Sequence, residues 1–216
     1  MTNSTLTVLC PMKMESAKFN RIARRHGWTL ITTGIGAEAV QSALSNRSQA
    51  GPVLLAGVAG ALRPELKPGT AHLISEVYTT EGILQSPLNR NGLRATGADE
   101  IVGTPEDKAR LAERTGAHVV DMESHAFAVA AEAAGRPWAI IRGVSDGVDH
   151  HLPAGCDAWF TPQGGIRPFV AAKDLACRPK DLLLMVAFAR RTSRAMRNVA
   201  QLAEETFLDH PGYAAT

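Results

Sequence analysis

Several things are scarce in this chain, and each shortage argues against a class of protein. Only 3 cysteines occur in 216 residues. Cys10, Cys156 and Cys177 are scattered, without metal or disulfide spacing, so reduced thiols in the cytosol are expected. Neither sign of charge is in excess: 23 Lys and Arg against 21 Asp and Glu give a formal net charge of +2, too near neutral for a general nucleic-acid binder. No apolar run is long enough to span a bilayer. The opening residues MTNSTLTVLC lack the basic start and apolar core of a signal peptide. His150 and His151 are adjacent, which is not zinc spacing, so no metal site is expected. What remains, at 45% hydrophobic, is the composition of one α/β domain over residues 1–216, with 179–208 as a long C-terminal helical segment.

The most informative stretch is residues 119–149, VVDMESHAFAVAAEAAGRPWAIIRGVSDGVD. Val119 and Val120 form a short apolar run, Ser124 can cap an alanine-rich helix, and Gly135 with Pro137 ends it. Residues 138–144 then read as a buried strand. A strand-helix-strand unit of this length predicts parallel strands joined by a right-handed crossover, with both strands ending on one carboxyl edge. That places Met122 and Glu123 beside Arg142, Ser145 and Asp146 on the rim where open α/β sheets bind ligands. Singly, Asp121 or Ser124 reads as a helix cap and Arg142 as an ion-pair partner. As a set on one edge, the charges point to a site.

Elsewhere, residues 6–10 read as a strand, and 14–26 as a basic helix stopped by Gly27 with Glu15 near its start. Residues 28–33 form a second strand. Gly34 and Gly36 then match a dinucleotide fingerprint, but the acid expected about 20 residues on is missing from PVLLAG, so both glycines read as turn and close-packing residues. A buried strand over 52–56 is expected to end in a tight turn at residues 57–60. A strand covers 71–78, a loop 79–99, a short strand 101–104, and a charged surface helix 105–115 stopped by Gly116. The irregular stretch after Asp149, with Trp159 and Phe160, suits a lid or pocket wall. Residues 179–207 form a long helix with an apolar start and a basic stretch at Arg190, Arg191, Arg194 and Arg197, suited to packing on the sheet or to meeting anionic headgroups or a lipidic substrate.

DMES before an alanine-rich helix, followed by IIRGVSDGVD, resembles the nucleoside phosphorylase superfamily, especially the methylthioadenosine/adenosylhomocysteine nucleosidases. CPMKME, TTGIGAEA and GVAGALRPELKPG fit in order, and HLPAGCDAWFTPQGG with RPKDLLLMVAFARRTSRA resembles the hopanoid-associated phosphorylases, which act on adenosylhopane. The resemblance implies a three-layer α/β fold with a central mixed, largely parallel sheet flanked by helices. It implies cleavage of a purine N-glycosidic bond with release of adenine, by phosphorolysis or hydrolysis. Met122 would pack under the ribose and Glu123 would bind its diol. Asp146 would be the leaving-group acid, positioned by Ser145, and Glu15 would activate water. Arg142 would lie near the sugar and nucleophile, and Val102, Gly103 and Thr104 would line the base. The phosphorylases' anion-binding arginine and serine fall at Leu55 and Val58, which cannot bind an anion through their side chains. Lys13, Arg142 and backbone N–H groups are then the candidates for holding phosphate as a co-substrate. No cofactor is implied. A homo-oligomer in the cytoplasm is, with membrane contact through residues 179–197 as an extension. The alternatives are a methylthioadenosine/adenosylhomocysteine-type nucleosidase or a general purine nucleoside salvage enzyme, and the rivals outside the resemblance are an oxidoreductase built on Gly34 and Gly36 and a non-catalytic nucleoside-binding module.

Overall fold

The structure is a computed structural model describing residues 5–45, 51–153 and 155–208. Strand β1 (Thr7–Cys10) leads into helix α1 (Lys13–His26), which stops at Gly27 in the left-handed backbone region that favours glycine. Strand β2 (Thr29–Thr32) and helix α2 (Ala37–Ser45) follow. Strands β3 (Val53–Ala61), β4 (Ala71–Thr79), β5 (Gly82–Gln85) and β6 (Leu93–Gly97) come next. Helix α3 (Pro105–Thr115), strand β7 (Val119–Asp121), helix α4 (Ser124–Ala133) and strand β8 (Trp138–Asp146) carry the chain to the irregular stretch. A 3-10 turn (Cys156–Trp159) and helices α5 (Pro168–Cys177) and α6 (Pro179–Leu208) complete it.

The eight strands make one mixed sheet. Strand β3 pairs in parallel with β1 and β8, and in antiparallel with β7. Strand β6 runs parallel to both β4 and β7, and β4 runs antiparallel to β8. The path β3–β7–β6–β4–β8 therefore returns to β3 and closes on itself. Alternate residues of β3 enter opposite layers: Val53, Leu55 and Ala59 join Val40, Phe127 and Trp138 under α2 and α4, while Leu54 and Ala56 join Phe19, Met196 and Phe207 under α1 and α6. Because both faces are covered, β3 reads as a nearly unbroken apolar run. This is the expected α/β architecture of a mixed, largely parallel sheet between helical layers.

Four local expectations are corrected. Residues 57–60 are not a tight turn but the second half of β3. Residues 79–99 hold β5 and β6 rather than a loop. Residues 101–104 form no strand. Strands β7 and β8 are not a parallel pair, since β7 runs against β3 and β8 runs with it. They lie on either side of β3, and Gly60 faces both Val120 and Asp146. The convergence of the two chain segments survives, but it comes from a shared central strand rather than a common edge.

Candidate active site

The site is assembled along the Gly57–Gly60 half of β3. Glu15, in the first turn of α1, is buried, and its Oε2 accepts the Met12 N–H at 2.8 Å, which closes the helix start. Its Oε1 accepts the Val58 N–H at 2.9 Å, tying α1 to β3. Gly57 permits this approach: a Cβ there would fall on Arg142 Nη1 and lie 2.9 Å from Glu15 Oε1. The glycine therefore makes room for charged side chains rather than for a turn.

Asp121 ends β7 and caps α4, its Oδ1 accepting the N–H groups of Glu123 at 2.9 Å and Ser124 at 2.7 Å. Its Oδ2 takes the Ser124 hydroxyl and pairs with Arg142 Nε at 2.7 Å. Glu123 Oε1 accepts the Gly36 N–H at 2.9 Å, and its Oε2 lies 3.3 Å from Arg142 Nη2. Gly34 and Gly36 do serve as turn residues, both with positive φ. Gly34 is also a packing residue, because a Cβ there would strike the Pro162 carbonyl. Gly36 adds an anchor for the Glu123 carboxylate.

At the end of β8 the pairing with β3 shifts register between Ala59 and Gly60, so Ser145 has no partner across the ladder. Such a bulge re-aims the residue that follows. The Ser145 hydroxyl lies 3.1 Å from the Ala59 carbonyl and 2.5 Å from Asp146 Oδ1. Asp146 Oδ2 accepts from Lys108 Nζ at 2.5 Å, and that ammonium also donates to the carbonyls of Gly147 at 2.7 Å and His150 at 3.2 Å.

An open cavity of about 880 Å³ is lined by Glu15, Val58, Met122, Glu123, Ser145 and Asp146. Val102, Gly103 and Thr104 form another wall, with Leu152, Pro153, Phe160 and Phe188 completing it. Thr104 also caps α3 by accepting the Asp107 N–H at 3.2 Å. Arg142 is not on the cavity wall. It is buried behind the carboxylates, paired to Asp121 and Glu123.

Burial, with a smaller push from Glu123, raises the Glu15 carboxyl to about 7 against the pull of Arg142 and two N–H bonds. Burial and neighbouring Asp121 likewise push Glu123 up while Arg142 opposes them. Burial would lower Arg142, but Asp121, Glu123 and Glu15 outweigh it and hold the guanidinium above its ordinary value. One buried cation thus serves three carboxylates. Leu55 is buried in the core and Lys13 is exposed and off the cavity wall, so neither meets an anion there. Among the described residues, Arg167 is the one Lys or Arg on that wall.

Lys108 was missed by sequence reasoning, which read α3 as a surface helix. The signal was present: Lys108, Leu111, Ala112 and Thr115 follow the spacing of one helix face, and all four are buried. The role of Phe188 was also missed, because the start of α6 reads as uniformly apolar.

No curated protein matches the sequence. Similar solved structures include futalosine hydrolase of Helicobacter pylori strain 26695, 15% identical with TM-score 0.70, covering 96% of this chain and 99% of that one. S-adenosylhomocysteine nucleosidase from Streptococcus pyogenes, in complex with 5-methylthiotubericidin, is 14% identical with TM-score 0.69, covering 98% of this chain and 99% of that one. A 5′-methylthioadenosine/S-adenosylhomocysteine nucleosidase from Colwellia psychrerythraea, in complex with adenine, is 17% identical with TM-score 0.67 and 95% coverage of each chain. Residues 90–169, the stretch that carries Lys108, Met122, Glu123, Arg142 and Asp146, match the family model of the Phosphorylase superfamily, and the chain as a whole has the fold of these nucleosidases.

Proposed function

We propose that the protein hydrolyses the N-glycosidic bond of a purine nucleoside and releases adenine. The observation that carries this reading is the gathering of Glu15, Glu123 and Asp146 around one cavity, with Glu15 held near pKa 7. Breaking the bond builds positive charge on the sugar and negative charge on the departing base. Glu15 is placed to take a proton from water, since a base is most effective when its pKa lies near working pH. Glu123, fixed by Gly36 and Arg142, binds the ribose hydroxyls and favours the cationic ring. Met122 packs under the sugar, and residues 102–104 meet the base. Asp146, held by Ser145, faces the leaving base. A structure of this fold with adenine bound supports a purine ligand.

Water is favoured over phosphate by the charge balance. A phosphate would enter a wall carrying several carboxylates against one described cation, Arg167, since Arg142 is already paired behind it and Leu55 and Val58 offer none. A bulky apolar group on the nucleoside, as in adenosylhopane, is supported by a second hollow of about 290 Å³ that shares Asp146, Leu152, Pro153 and Phe188 with the cavity and reaches Leu184 and Met185. Leu183 in α6 is 77% exposed and Phe169 in α5 is 89% exposed, which supports contact of residues 179–197, and of α5 with them, with a membrane surface. The second reading is a methylthioadenosine/adenosylhomocysteine-type nucleosidase, favoured by the fold likeness. A homo-oligomer remains part of the proposal.

The test is to incubate the protein with adenosine nucleosides bearing 5′-methylthio or long apolar groups, with and without phosphate. Free adenine and free sugar in both conditions is the expected result. Sugar phosphate would replace hydrolysis by phosphorolysis, and no free base with any nucleoside would leave only a binding module. Higher kcat/KM with the longer group separates the lipidic substrate from the methylthio one.

A further inference from the structure

The ammonium beside Asp146 has no part in the chemistry described so far. Lys108 is 1% exposed, in a helix whose other charged groups face solvent or ring its ends. Burying a lysine is costly unless its three N–H groups are satisfied, and here Asp146, Gly147 and His150 supply three acceptors. A purely structural lysine could have bound the two carbonyls and left the carboxylate on the cavity wall alone. Instead the shortest of its contacts is to Asp146 Oδ2, while Ser145 holds Oδ1. The carboxyl is fixed from both sides, and each oxygen keeps a lone pair for the base.

We propose that Lys108 is a positioning residue for leaving-group departure, acting through Asp146 and replenishing the proton that Asp146 delivers to the purine. This rests on the glycosidic reading of the site. As the bond from the sugar's anomeric carbon to the purine nitrogen breaks, its electron pair moves into the ring. One proton passes from Lys108 Nζ to the Asp146 carboxyl and one from that carboxyl to a ring nitrogen, leaving a neutral amine, an unchanged carboxylate and a neutral purine. On the other side water gives its oxygen to the anomeric carbon and its proton to Glu15. The proton gained at Glu15 equals the one lost at Lys108, and exchange with solvent resets both.

The experiment measures adenine release by the full-length protein and by K108M, K108A and K108R, with thermal unfolding of each. K108M and K108A are expected to lose kcat by about 100-fold or more while KM moves little, the loss associated with a general acid. K108R keeps a cation beside Asp146 but does not give up its proton, so it is expected to lose kcat with the neutral variants while KM moves little. Added methylammonium should restore K108A saturably, and ethanol, of similar size and uncharged, should not. Wild-type activity with K108M or K108A unimpaired, or equal rescue by ethanol and methylammonium, overturns the role of Lys108 and leaves the functional reading standing. If the neutral variants do not fold, K108R decides it: kcat below one-tenth of wild type with unchanged KM in a folded K108R supports the proposal, and kcat at or above one-tenth overturns it. A wild type that releases no adenine overturns the functional reading instead.

Discussion

At Glu15 the demands of folding and of chemistry oppose each other. The folded protein holds its carboxyl near 7, against an ordinary value of 4.5. A raised folded value means that the stabilising contribution of the neutral form is complete below about pH 4.5 and is lost as pH rises through about 7. By pH 8 the ionised carboxylate costs on the order of 3 kcal/mol of stability. Glu15→Gln removes the titration, but its amide meets one of the two N–H groups that the carboxyl accepts. The variant is therefore offset at every pH, and the informative quantity is the change in that offset. Unfolding free energies measured at pH 5 and pH 8 should show the variant gaining on wild type by about 2.5 kcal/mol across the interval. Parallel curves would mean that Glu15 titrates as an ordinary surface acid. If Glu15 is the base of the proposed hydrolysis, the sign reverses in activity, because the base must be ionised: kcat/KM should fall about tenfold per pH unit below about 7, and Glu15→Gln should lose about 100- to 10,000-fold. Asp146→Asn is expected to lose a similar factor while adenine binding by calorimetry stays within about tenfold.

Elements were legible where their signals are local. Helix α3 begins with Thr104 as its cap and ends at Gly116 in the left-handed region, and α1 ends the same way at Gly27. Strands β5 and β6 were not legible, since Gly82, Pro87, Asn89, Asn91 and Gly92 mark turns at a density that hides two short strands held by β4. Nor was the direction of β7, whose three residues are oriented by β3 and β6 from distant parts of the chain. The site was nonetheless largely visible, because its residue types sit at strand and helix ends that local pattern locates. The seating of α6 on β8 gives the prediction at this scale. A Cβ at Gly143 would lie 2.8 Å from Ala195 Cβ and 3.1 Å from the Ala195 carbonyl carbon. A helix backbone cannot yield as a side-chain tip can, so Gly143→Ala should cost about 1–3 kcal/mol by forcing α6 outward. Calorimetry should show the midpoint lowered by roughly 2–12 °C. An unchanged midpoint would mean that α6 does not pack this closely.

Across the whole molecule, α6 changes character along its length. Its second half buries Ala195, Met196, Val199, Ala203 and Phe207 against the sheet, whereas Leu182, Leu183, Leu184 and Val186 in its first half stay exposed beside Phe169 and Val170 of α5. No helix among the described residues is long and apolar enough to cross a membrane. Exposed Arg167, Lys173, Arg190 and Arg194 lie along the same two helices and the segment leading into them. An apolar face with a cationic border suits the surface of an anionic bilayer, where each basic residue contributes about 1 kcal/mol. The hollow beside Asp146 reaches the same part of α6 through Leu184 and Phe188. Cosedimentation should therefore show the protein on vesicles containing anionic lipid in about 0.1 M salt. Binding should weaken in about 1 M salt, where screening shortens to about 3 Å. Phe169→Asp with Leu183→Asp should release the protein from vesicles while leaving hydrolysis of a short, water-soluble nucleoside unchanged, because neither side chain lines the cavity. If this face instead seats a second copy of the chain, light scattering will give a doubled mass that the double variant halves, and wild-type protein will stay off the vesicles.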